Sequence, residues 1–135
     1  MASVRKDITT KAPPTEVWAA IRDVGAIHRK LLPGFIADAR LDGPRMRVVT
    51  LGNGMVLREP IITIDEVAMR VVWANEGGST THSNVSLEVV AEPGGGSRVV
   101  WIADFLPDEV ATAIAANLTR GSQIMKETLD RLVSP

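Results

Sequence analysis

The sequence predicts an α+β fold, a curved antiparallel sheet of seven strands wrapped around one long C-terminal helix. Two observations carry that prediction. Between Pro107 and Val133, the residues Val110, Ile114, Leu118, Gly121, Met125, Leu129 and Leu132 recur at steps of three and four, the spacing of one helical face. Between Phe35 and Phe105 the period is two, in segments joined by short Gly-, Pro- and Asn-bearing connections. Short connections between consecutive strands imply an antiparallel meander. Such a sheet cannot leave its apolar face open, and the last helix is the only large element available to cover it. One helix about 10 Å across does not fill a concave sheet, so a cavity between the two is expected.

Along the chain, Val4, Lys6 and Ile8 alternate with Arg5 and Asp7 in a first strand ending at Thr9 or Thr10. Ala12-Pro13-Pro14-Thr15-Glu16 starts a helix, with proline in the first turn and an acid just after it. Val17, Ala20, Ile21 and Val24 form its apolar face, bordered by Trp18, and Gly25 ends it. A second short helix, 26–32, stops at Pro33-Gly34. Strands follow at 35–41, 45–51, 55–64, 69–75, 80–92 and 98–105. Gly52-Asn53-Gly54 is a hairpin signal, and Pro60 requires an edge position or a bulge. In the C-terminal helix Pro107 suits the first turn, Asp108 and Glu109 follow at the positive end of the dipole, and Lys126 and Arg131 lie toward the other. Gly121 within the apolar face lowers helix stability by roughly 1 kcal/mol, which marks close packing or a cavity wall.

Length and composition exclude several function classes. At 135 residues and 45% apolar content the chain suits one globular domain, 1–135. Fifteen Lys and Arg against sixteen Asp and Glu give a net charge of −1 with no long run of either sign, and so no footprint for nucleic acid. No apolar run approaches the length of a membrane span. Residues 1–11 lack the apolar core of a signal peptide, which makes a cytoplasmic location the default. There is no cysteine, and two distant histidines make a zinc site improbable. Gly94-Gly95-Gly96-Ser97 lacks the lysine of a phosphate loop, there is no G-x-S-x-G elbow, and no cofactor is implied.

Ala12-Pro13-Pro14-Thr15-Glu16-Val17-Trp18 with Asp23, Leu32-Pro33-Gly34, Arg58-Glu59 with Asp65, Val71-Val72-Trp73, and Gly96-Ser97-Arg98-Val99-Val100-Trp101 before Phe105-Leu106-Pro107 stand in a telling order. Individually these motifs are weak. In this order and spacing they resemble the polyketide cyclase/START-like (SRPBCC) superfamily, over essentially the whole chain. The resemblance implies the helix-grip fold, shared with pollen-allergen-type proteins and plant abscisic-acid receptors. It also implies a small hydrophobic ligand in the central cavity, which some relatives cyclise or dehydrate and others only bind or carry. Leu31 stands where relatives often have an aromatic residue, and the chain has no tyrosine.

His82 is the sharpest chemical candidate. Strand periodicity places it with Asn84, Ser86 and Glu88, opposite the apolar set, and hence in solvent. The resemblance implies instead that the positions matching His82 and Asn84 point into the cavity, and a bulge could reverse the parity partway along so long a strand. An inward imidazole could act as general base or as donor to a ligand carbonyl. Glu59 shares its face with Leu57, Ile61 and Thr63, so it is either a cavity acid with a raised pKa or a charge guarding an edge strand. A Glu59–His82 pair would be an acid/base constellation. Asn117 and Gly121 lie a turn apart beside the apolar helix face, where Asn117 is a ligand contact or a flank residue. Trp18, Trp73 and Trp101 belong to core or cavity wall, with Trp101 and Phe105 directed inward. His28 reads as solvated.

The leading reading is a binding protein, monomeric or homodimeric, for a small hydrophobic, aromatic or polyketide-like molecule. Leu57, Ile61, Trp73, Trp101, Phe105, Leu118, Gly121 and Met125 supply its wall, Glu59, His82, Asn84 and Asn117 its polar contacts, and the 76–81 loop its gate. The alternatives are a cyclase or dehydratase with His82 as base and Glu59 as acid, and a protein-interaction module that docks through the cavity mouth.

Overall fold

A computed structural model describes residues 1–133. Strand β1 (Ala2–Thr10) leads into helix α1 (Pro14–Arg22), a 3-10 turn at Val24–Ala26 and the one-turn helix α2 (Ile27–Lys30). Then come β2 (Ile36–Leu41), β3 (Met46–Leu51), β4 (Val56–Asp65), β5 (Arg70–Ala74), β6 (His82–Ala91) and β7 (Ser97–Leu106), and finally α3 (Ala111–Asp130). All neighbours are antiparallel, in the order β1-β7-β6-β5-β4-β3-β2. The first two strands are therefore the two sheet edges, and α1 and α2 cross between them.

Helix α1 buries Val17, Trp18, Ala20 and Ile21, the face its periodicity announces. The Trp18 indole N–H donates to Glu66 at 2.8 Å, and Arg22 forks onto the same carboxylate, with its nearest nitrogen at 2.8 Å. Arg22 above all, with Trp18, holds the Glu66 carboxyl below its ordinary value of 4.5. A depressed carboxylate adds stability that is present above its unfolded pKa and lost as pH falls through its folded one. Glu66→Gln is therefore expected to lower Tm slightly at pH 7 and to flatten the decline of Tm between pH 5 and 3. Parallel curves for variant and wild type would contradict this. The effect stays small because both side chains are half exposed.

The opposite end is closed by a close backbone approach. A Cβ on Gly96 would lie 2.5 Å from the carbonyl oxygen of Thr10, so only glycine fits there. Beside it the buried Ser97 donates its hydroxyl to the Ala12 carbonyl at 2.7 Å. Thr10 donates to Asp130 and Lys126 to the Thr9 carbonyl, each at 2.7 Å, fastening the end of α3 to the end of β1.

Two local expectations change, those for the ends of the last helix and for His28, and the alternative at Pro60 is decided. Helix α3 starts at Ala111, because Val110 leaves helical dihedrals (φ −86°, ψ 2°) and Asp108–Val110 forms a 3-10 turn in front of it. Its twenty residues bury Leu118, Gly121, Met125 and Leu129, whereas Leu132 lies beyond the helix and is 45% exposed. Pro60 is not on an edge strand: β4 pairs on both sides, and the irregularity Pro60 requires appears as a register shift between Ile61 and Thr63. His28 is only 18% exposed, with Nε2 4.0 Å from Asp38, because α2 packs against β2.

Candidate ligand cavity

Between α3 and the concave sheet lies a cavity of about 250 Å³. Strand register lays out its floor in rows. Trp73 pairs with Val85 and Val85 with Ala103, one apolar row across three strands, which Ile61 opposite Trp73 continues into the core. One step along, Arg47 pairs with Glu59, and Asn75 bonds its backbone N–H to Ser83, which gives a polar row. Ile114, Asn117 and Leu118 of α3 close the roof, and Gly77, Gly78, Ser79 and Thr80 border the mouth. Gly77 and Gly78 have φ of 98° and 74°, a conformation that disfavours side chains, and a Cβ on Gly78 would sit 3.1 Å from Leu57.

The polar row is a buried network. Arg47 is 1% exposed and Glu59 5%. Arg47 Nε donates to Glu59 Oε1 at 2.8 Å and Nη1 to the Val24 carbonyl at 3.2 Å. Nη2 stands 2.7 Å from Glu59 Oε1, close enough for an ion pair, yet without the alignment of a hydrogen bond. Asn75 donates to the other Glu59 oxygen and accepts from the Ser83 hydroxyl at 3.2 Å. The Trp73 ring lies 4.5 Å from the guanidinium carbon, in cation–π contact. Burial pushes the Glu59 carboxyl up from its ordinary value and pulls the Arg47 guanidinium down, while the attraction between them opposes both shifts.

Of the candidates, Leu57, Glu59, Trp73, Trp101, Asn117 and Leu118 line the cavity together. Ile61, Phe105, Gly121 and Met125 are buried but stand behind the wall, in the continuous core. His82 and Asn84 are corrected: both are exposed, on the outer face of β6. The strand pairs without a break from His82 opposite Leu106 to Ala91 opposite Ser97, so no bulge reverses its parity. Burial of Val85, Leu87 and Val89 then turns His82 outward and Ser83 inward, and Glu59 finds Arg47 rather than a histidine. Arg47, Asn75 and Ser83 were missed. A signal for Arg47 existed, since an acid on an inward face calls for a cation across the neighbouring strand.

Gly121 behaves as a packing residue. A Cβ there would meet Trp101 at 2.8 Å (Cη2) and 3.0 Å (Cζ3), on a ring that is itself buried. Alanine gains about 1 kcal/mol of helix propensity but overpacks the site at a cost of about 1–3 kcal/mol. Gly121→Ala is expected to be destabilising by up to about 2 kcal/mol in urea unfolding, with altered Trp101 fluorescence. A stabilised variant with unchanged fluorescence would contradict the tight packing.

Among the described residues no helix is long and apolar enough to cross a membrane. Among curated proteins nothing matches the sequence significantly. Solved structures do. An uncharacterised protein from Bacillus thuringiensis superposes with a TM-score of 0.85 at 16% identity, covering 95% of this chain and 98% of its own. A Thermobifida fusca protein, solved by NMR, gives 0.80 at 26% identity, with 98% and 96% covered. A START superfamily protein from Mycobacterium smegmatis gives 0.79 at 12%, with 97% and 99% covered. These likenesses establish the helix-grip fold that the strand order and α3 display. The family profile described as polyketide cyclase/dehydrase and lipid transport matches residues 1–134. With that match over nearly its full length, the chain belongs to the polyketide cyclase/dehydrase and lipid transport family.

Proposed function

We propose that this protein binds a small, mostly apolar molecule in the cavity between the sheet and α3, with the polar end of the molecule against the Arg47–Glu59–Asn75–Ser83 row. One observation carries the reading: a mostly apolar, open-mouthed cavity of about 250 Å³ has a buried ionic cluster in its wall. Pockets that take small molecules combine apolar lining with a few placed polar groups in this way. The family's description covers both chemistry and transport. Binding is favoured over proton-transfer chemistry because His82 is on the outer face and the one carboxylate in the wall, Glu59, is tied to Arg47.

Native mass spectrometry of the purified protein, followed by denaturing extraction, tests the reading without a guess at the ligand. A released hydrophobic molecule of a size the cavity admits is the expected result. A tight oligomer, empty and with its mouth covered, would replace the ligand reading with an interaction module.

A further inference from the structure

Three tryptophans occur in the sequence, and their indole N–H groups differ in one respect. That of Trp18 donates to Glu66 at 2.8 Å, and that of Trp73 is directed to Glu59. Trp101 lines the cavity at 5% exposure, and its Nε1 has no hydrogen-bond partner among the described residues. Its ring has little freedom to find one, because the benzo edge is packed where a Cβ on Gly121 would fall. Arg47 Nη2 in the same wall also lacks an aligned hydrogen bond, but it is held in its ion pair with Glu59 Oε1 at 2.7 Å. Buried donors are nearly always satisfied in folded proteins, so the indole N–H left open in the cavity wall asks for an acceptor from outside the chain.

Charge narrows what that acceptor can be. Arg47 and Glu59 are the only ionisable side chains among those lining the cavity, and they cancel each other. A carboxylate would add a second anion beside Glu59 with no further cation to meet it, and an ammonium would face Arg47. Either would be buried without a counter-charge. A pure hydrocarbon would leave the Trp101 donor unmade. A carbonyl oxygen accepts without donating and carries no charge. We infer that the cavity selects an uncharged ligand whose polar group is a carbonyl oxygen, received by Trp101 Nε1–H, and that it discriminates against carboxylates such as free fatty acids. This rests on the binding reading above and specifies the ligand class of that same site.

Three probes of one shape test it: 2-acetylnaphthalene, 2-ethylnaphthalene and 2-naphthoate, titrated into the whole protein at pH 7 by calorimetry. The ketone is expected to bind at least tenfold more tightly than the hydrocarbon, and the carboxylate more weakly than either. In parallel 1H–15N spectra, the Trp101 indole proton should move downfield with the ketone and not with the hydrocarbon. Trp18→Phe and Trp73→Phe assign that resonance by elimination, so the readout does not require a folded Trp101 variant. Where Trp101→Phe folds, it should narrow the ketone-to-hydrocarbon ratio toward one. Equal affinity for ketone and hydrocarbon, an unmoved indole proton, or tightest binding of the carboxylate would each overturn the carbonyl assignment while leaving a ligand cavity in place. Binding of none of the three would overturn the cavity reading, and this inference with it.

Discussion

Replacing Arg47 with methionine is expected to destabilise the protein by about 3–5 kcal/mol, the usual cost of stripping one partner from a buried ion pair. Methionine fills much of the space, so the loss comes from charge rather than volume. It leaves the Glu59 carboxylate, 5% exposed, with only Asn75 and the Trp73 indole N–H directed to it. The double variant Arg47→Met/Glu59→Leu should recover most of the loss, because two apolar side chains replace a buried pair at little net cost. Urea unfolding of the four proteins gives the coupling energy directly. The pH dependence has a definite sign. Burial already pushes Glu59 above its ordinary 4.5, and Arg47 is the main force opposing that shift. Without Arg47 the folded pKa rises further, so the folded state holds a proton that the unfolded state releases. Stability then falls as pH rises from 4.5 through the folded pKa. The single variant should therefore be weakest relative to wild type at pH 8 and partly recovered at pH 5. A loss under about 1 kcal/mol at both pH values would mean that the pair is solvated, as surface pairs are.

How such a pair could be foreseen depends on register more than on composition. The inward face of β4 is legible because Leu57, Glu59 and Ile61 alternate with Arg58 and Pro60. Arg47 is not legible in that way, since Val48-Val49 beside it puts apolar residues on both faces of β3. The Gly52-Asn53-Gly54 hairpin holds the missing information: closed between Leu51 and Met55, it counts back to Arg47 opposite Glu59. Strand β6 teaches the converse. Its alternation alone places His82 outside, and the opposite expectation came from positions in related proteins rather than from these residues. The open N–H of Trp101 lay beyond any pattern in the sequence, because it arises from what α3 and the sheet fail to offer the ring. Periodicity reports faces; it does not report which polar atoms are left over when the faces meet.

Filling the cavity from its floor is expected to abolish ligand uptake without unfolding the protein. Ala103 is 3% exposed on the inner face of β7, between Val85 of β6 and Val4 of β1, and lines the cavity. A phenylalanine there places its ring in the space the ligand would occupy. Two terms of similar size oppose each other in the empty protein. Burying the new ring gains about 1.5–3 kcal/mol, and crowding against Trp101 and Val85 costs about 1–3 kcal/mol. Ala103→Phe should therefore melt within a few degrees of wild type. Affinity has no such compensation, since a ligand must either expel the ring or leave part of its own surface in water. Losing about 3 kcal/mol of binding corresponds to roughly a hundredfold in Kd. Ile102→Phe, one residue away on the outer face of the same strand, should leave uptake unchanged. Calorimetric titration with 2-acetylnaphthalene and thermal melts of both variants separate the terms. If Ala103→Phe retains wild-type affinity, the ligand sits elsewhere on the molecule. If both variants lose it while melting normally, the effect travels through β7 and not through the volume of the cavity.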